Sequence, residues 1–176
     1  QRGKTEPFEV QISRQDIAFH NQFELGCFTN NLGSTTAGPI WEGTTSAGGL
    51  YVPPSTASVL TIASSSAQDS AAGTGAAAIQ INGLDANFNM QSEIVQLNGT
   101  TGVTTQLKYL RINGMSVSTA GSTSTTGLNA GNITAKISTT LYAQISAGIG
   151  QTQMSIFTVP NNYVLLVSGV SASDRK

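Results

Sequence analysis

The sequence predicts an all-β protein: an antiparallel β-sandwich with jelly-roll character and long Ser/Thr/Gly-rich loops. Three observations lead there. The apolar runs are short and rich in Val, Ile, Leu and aromatic residues. Clusters of Gly, Asn, Ser and Thr interrupt them at intervals of roughly ten residues. No stretch carries the 3.6-residue period of an amphipathic helix. Many short strands with turn punctuation and no helical period fit a sandwich better than an α/β fold.

Taken in order, the expected strands begin with Phe8 to Ser13, where Phe8, Val10 and Ile12 alternate with Glu9, Gln11 and Ser13. They continue with Val59 to Ala63, Ala77 to Ile81, Ser92 to Leu97 and Lys108 to Val117. Ile133 to Ile137, Leu141 to Ile145, Met154 to Val159 and Tyr163 to Val170 complete the set. Tyr163 to Val167 (YVLLV) is apolar at every position, the pattern of a central strand covered on both faces or of an edge pressed against another subunit. The loops 30–38, 64–75 and 120–131 read as rim loops, mobile or ordered only against a neighbouring subunit.

The 176 residues read as a single sandwich domain, 1–176, with an extended N-terminal segment over about residues 1–50. A chain of this length removes about 70% of its unfolded surface from water. Burying one Leu contributes about 1.5–3 kcal/mol, so a core built from these strands needs no staple. Cys27 has no second cysteine to pair with and reads as a small buried apolar group. Charged residues make up 10% and the formal net charge is −1, against about 25% charged in average soluble domains. Attraction to nucleic acid or to an anionic membrane is therefore not expected. No run approaches the roughly 18 apolar residues of a membrane span. The start QRGKTEPFEV lacks the apolar core of a secretory signal, so a soluble chain is expected.

Motifs with chemical potential are few. The Asp85-x-Asn87-x-Asn89 spacing resembles a calcium loop, but Met90 and Gln96 stand where such a loop needs Gly and a bidentate acid. A turn between two strands is expected there, because Asp and Asn bond their own backbone and tolerate left-handed φ. A fortuitous cation site between Asp85 and Glu93 is the alternative. Gly73-Thr-Gly75-Ala-Ala-Ala78 matches a loose dinucleotide fingerprint but opens a strand instead of a helix. The sequons at Asn98 and Asn132 matter only in a eukaryotic secretory pathway.

His20 is the single histidine and no Gly-x-Ser-x-Gly occurs, so a triad has no members and His20 reads as a surface or interface residue. Glu6, Glu9, Asp16, Glu24, Glu42, Asp69, Asp85, Glu93 and Asp174 are the acids from which a glycan-hydrolysing pair would be drawn, but their scatter gives no spacing argument. Trp41 reads as a cap on the core or as an anchor against another subunit. No catalytic, cofactor-binding or metal residue is assigned.

Residues 73–105 (GTGAAAIQINGLDANFNMQSEIVQLNGTTGVTT), 110–122 (LRINGMSVSTAGS) and 129–134 (NAGNIT) resemble a recurrent family of virion structural proteins of tailed bacteriophages, many from phages of cyanobacteria and other aquatic bacteria. FEVQISR, the Pro39 to Tyr51 region and the Val159-Pro160 step extend the resemblance over most of the chain. Ala77 and Met90 depart from it, standing where polar or charged residues are expected. Similar chains continue beyond SASDRK with further strands, which implies a trimmed C-terminus here.

The resemblance implies a non-enzymatic building block located in the virion, whose relatives are described as head decoration, minor capsid or fibre-associated proteins. The leading expectation is a capsid cement or decoration protein that binds major capsid subunits and copies of itself, as a homotrimer. The alternative is a tail fibre or baseplate component facing a host glycan, with Trp41, Tyr51, Tyr109 and Tyr142 as stacking platforms. A carboxylate-dependent hydrolase is the third and weakest reading.

Overall fold

An alternating strand is stable only beside a partner, and most of the expected strands find one. The computed structural model describes residues 7–14, 41, 51–167 and 169. Its strands are β1 (Thr61–Ser64), β2 (Ala76–Leu84), β3 (Met90–Gln96), β4 (Val103–Thr104), β5 (Arg111–Ala120), β6 (Ile133–Ile137) and β7 (Thr140–Ile145). They form two antiparallel sheets in the orders β4-β1-β6-β7 and β3-β2-β5, packed against each other. The chain is thus the expected all-β sandwich.

Inward-facing residues of both sheets fill the core, among them Leu60 and Ile62 of the first sheet's β1 region, Ile79 and Ile81 of β2, and Ile133 and Ile145 of β6 and β7. β2 lies in the middle of its sheet, where Ile79 faces Val95 on one side and Val117 on the other. That central place explains why Ala76 to Ile79 are all buried, Ala77 included. The β2–β5 register shifts near Asn82/Gly83. There a Cβ on Gly83 would overlap Arg111 O and lie 2.7 Å from Tyr109 Cδ1. Only glycine lets the Tyr109 ring cross this strand.

Three expected strands are absent. Phe8–Ser13 is a short helix, α1, not a strand. Pro7 caps it with φ −53 and its carbonyl accepts the N–H groups of Val10 (3.1 Å) and Gln11 (3.2 Å). Six residues satisfy either period, and a proline carbonyl with no sheet alongside favours the turn. Met154 to Val159 runs beside β5 without joining it as a strand. The Asn113 side chain takes the place of a ladder there, donating to Thr158 O (3.1 Å) and accepting from Thr158 N (3.0 Å). Tyr163 to Val167, expected to be a strand, belongs to no sheet. All five of its residues are exposed.

His20, Cys27, Glu6, Asp16, Glu24, Glu42, Asp174, the loop 30–38 and most of the expected N-terminal segment 1–50 lie outside the described residues.

Candidate functional site

Each acid among the described side chains is engaged by its own surroundings. Asp85 closes the β2–β3 hairpin, as the sequence predicts. Its Oδ1 accepts the backbone N–H groups of Asn87 (2.8 Å) and Asn89 (2.9 Å), and Oδ2 accepts Asn89 Nδ2 (3.1 Å). Phe88 takes the left-handed backbone the turn requires, with φ 61. The Asn89 backbone N–H foremost, helped by the Asn89 side chain and the Asn87 N–H, holds the Asp85 carboxyl below its ordinary value despite some opposing desolvation. Arg111 lies over the Phe88 ring at 5.3 Å and pins the turn from the side.

Glu93, the other half of the fortuitous cation site, accepts the backbone N–H groups of Gln106 (3.0 Å) and Leu107 (3.4 Å). It clamps the 105–108 loop to β3. Among the described residues, no three His, Cys, Asp or Glu side chains stand together as a metal site would need.

Asp69 is the structural feature that sequence reasoning missed. It is fully buried, and its carboxylate accepts Ser64 Oγ (2.5 Å), Ala76 N (2.8 Å), Ala130 N (2.7 Å) and Gly131 N (2.8 Å). Its own carbonyl accepts Gly99 N at 2.8 Å. One side chain therefore ties the 64–75 loop to the start of β2 and to the 129–131 segment. Gly75 is forced by the same contact, since a Cβ there would overlap Asp69 Oδ1. Of the glycines that resemble a dinucleotide fingerprint, Gly75 serves this close approach and Gly73 one to Gln68 O, and the stretch opens a strand.

Asn129, also buried, extends the knot. Its Nδ2 donates to Gly131 O (2.7 Å) and Ser146 O (2.9 Å), and its Oδ1 accepts Gly150 N (2.9 Å). The loops 64–75 and 120–131, expected to be mobile or to need a neighbour, are thus ordered within the chain. The fully satisfied polar groups of this knot supply structure, not a reactive centre.

The aromatic platforms expected for a glycan are largely withdrawn from the surface. Trp41 is buried in the core cluster and packs edge-on against Tyr51, with ring centroids 5.2 Å apart and planes at 84°. This is the capping role among the two expected for Trp41. Tyr109 is fully buried, while Tyr51 and Tyr142 are half-buried against the core. Burial pushes the Tyr51 phenol up to about 12, despite the opposing pull of Arg111, and pushes Tyr109 higher still, aided by the Glu93 charge. A buried ring cannot stack on a sugar, which withdraws Trp41 and Tyr109 from the expected platforms, while Tyr51 and Tyr142 keep part of their rings at the surface.

Among the described residues the surface carries a shallow cleft and an apolar strip. The cleft, about 410 Å3, is lined by Trp41, Thr134, Lys136, Thr139, Thr140, Leu141 and Gln144. The strip is Tyr163 to Val167, accompanied elsewhere on the surface by Met90 and Ile94 of β3. Compared with protein-family models, curated proteins and solved structures, the chain finds no match in any of the three.

Proposed function

We propose that this chain is a structural protein of a phage virion, a capsid cement or decoration protein that stabilises the head shell by binding major capsid subunits and copies of itself as a homotrimer. The observation that carries the proposal is the contrast between described acids that fasten loops and an uncharged apolar strip left open to solvent. Asp69, Asp85 and Glu93 each hold backbone N–H groups of their own loops. An arrangement of this kind suits a protein that clasps other molecules, with the three described acids engaged by their own loops. The resemblance of the 73–105, 110–122 and 129–134 stretches supplies the setting. Such a protein stabilises a shell by binding the assembled state in preference to its separate subunits, summed over many repeated contacts.

Counting copies of this chain in purified particles, by quantitative mass spectrometry against the major capsid protein, tests the reading. Copies in the hundreds per particle, with particles that burst at lower temperature once stripped of the protein, are expected. A handful per particle would overturn the head role in favour of a tail or baseplate position.

A further inference from the structure

Tyr163 to Val167 is an uncharged run of strand-forming residues with fractional exposures of 56, 95, 43, 69 and 63%. Exposure of every residue means that neither face of the run is packed. Its base is fixed: Asn161 N donates to Phe88 O at 2.7 Å, Tyr163 N donates to Pro160 O at 3.2 Å, and Asn162 turns the chain with φ 65. From Val164 to Val167 no backbone hydrogen bond is made to any described residue. The five residues together present on the order of 500 Å2 of apolar surface, at the upper end of what a monomer leaves open (about 300–600 Å2).

The same chain carries an edge that suits this run. Of the four sheet edges, β4 has only two residues, and β5 is flanked by the 150–152 segment through Val117 N to Gly150 O (2.7 Å) and Thr152 N to Met115 O (2.9 Å). β7 carries none of the large exposed apolar side chains. β3 is seven residues long, has β2 on one side only, and exposes Met90 (61%) and Ile94 (58%). Met90 and Ile94 are four residues apart and so share one face of the strand. Glu93 is the single charge on β3, and it is held by the 106–107 backbone.

We infer that Tyr163 to Val167 adds as a strand to the β3 edge of a second copy of this chain. Main-chain pairing of an extended segment to an open edge supplies affinity, and alternate side chains supply register. Each such contact removes several hundred Å2 from water, and in a ring closed head to tail each chain makes it twice, as donor and as acceptor, which puts the association among the weak, concentration-dependent interfaces below about 1,200 Å2. Neither element brings an unpaired charge, and the net charge of −1 sets up little repulsion between copies. Exchange closes the open edge of β3 and gives the unpaired backbone of 164–167 a partner. The inference rests on the self-association in the proposed function and is independent of its capsid partner.

The test is native mass spectrometry of the 1–176 chain from 1 to 100 µM, paired with amide hydrogen exchange. The wild type is expected to associate, and the amides of 164–167 and 90–96 are expected to gain protection together as concentration rises. Val164→Asp and Ile94→Lys, both at exposed positions, are each expected to weaken association at least tenfold while leaving the far-ultraviolet circular dichroism unchanged. A chain still monomeric at 100 µM overturns the inference. So does an oligomer indifferent to both substitutions, or protection of 164–167 without protection of β3. A monomer that nevertheless saturates capsids would remove strand exchange and leave the head role standing. An exchanging oligomer present in a few copies per particle would do the reverse.

Discussion

Removing the Asp69 carboxylate is expected to be among the most damaging single changes available to this chain. In Asp69→Ala three backbone N–H groups, from Ala76, Ala130 and Gly131, and the Ser64 hydroxyl lose their acceptor at a site closed to solvent. A buried donor left without a partner costs about 1–3 kcal/mol, and hydrogen bonds to a charged group are worth about 1.5–3 kcal/mol each. Four such losses do not add in full, because the Ser64 hydroxyl can rotate to a new acceptor and the vacated carboxyl volume can admit water. A net loss of about 4–5 kcal/mol is expected, at the extreme end of point substitutions. Asp69→Asn keeps the shape but sets an amide N–H against the Gly131 N–H, and a loss of about 2–3 kcal/mol is expected. Urea unfolding at neutral pH measures both, read as a fall in midpoint at constant slope. If Asp69→Ala costs less than about 1 kcal/mol, the carboxylate is not what binds the loops together.

Gly75→Ala places a methyl on Asp69 Oδ1 and should cost nearly as much as losing the acid, whereas Gly148→Ala, at φ +75 with open space around it, should cost only the roughly 1–2 kcal/mol of left-handed strain; paired denaturation curves distinguish them. Tyr109 Oη is buried beside the Glu93 carboxylate without a well-formed hydrogen bond to it, so Tyr109→Phe is expected to change stability by less than about 1 kcal/mol in thermal unfolding. On the acid side, folding holds the Asp85 carboxyl below 3.8, so its contribution is complete above that pH and fades as pH falls through the lower folded value. Hydrogen exchange in the 85–90 turn should accelerate there first, and Asp85→Asn should abolish the dependence. On the alkaline side, Tyr51 ionises at about 12 in the folded chain against 10.0 ordinarily, so its contribution is whole below pH 10 and lost as pH climbs towards 12. Absorbance at the phenolate band in wild type and Tyr51→Phe reads this directly.

The parts of the fold legible in the sequence are those decided locally. The β2–β3 hairpin is written in a run of alternating residues around Asp85 and Asn89, whose side chains bond within four residues of themselves. β6 and β7 are likewise legible as two short apolar runs separated by a turn. Phe8–Ser13 was ambiguous because six residues fit a helix and a strand equally, and Pro7 rather than periodicity decides it. Met154 to Val159 has strand composition, yet its neighbour β5 holds it through Asn113, a contact separated by 45 residues. Asp69 was illegible for the same reason: two of its donors, Ala130 and Gly131, lie 61 and 62 residues away. An acid in a Ser-rich loop looks solvated until the tertiary structure brings those N–H groups to it.

The charge-poor composition acquires a physical meaning at this point. A surface poor in charge suggests a protein whose faces are taken up by neighbours, and the three described acids, Asp69, Asp85 and Glu93, each fasten backbone of their own loops. Asp69 and Asn129 carry out within the loops what a disulfide would do in a chain with two cysteines. The unanswered element is then YVLLV, whose composition asks for burial on both faces. The described residues of one chain leave it exposed, beyond the last described strand and anchored at the β2–β3 turn. Because β3 of the same sequence offers an open edge with two exposed apolar side chains, the proposed exchange between copies would give the run its strand partner.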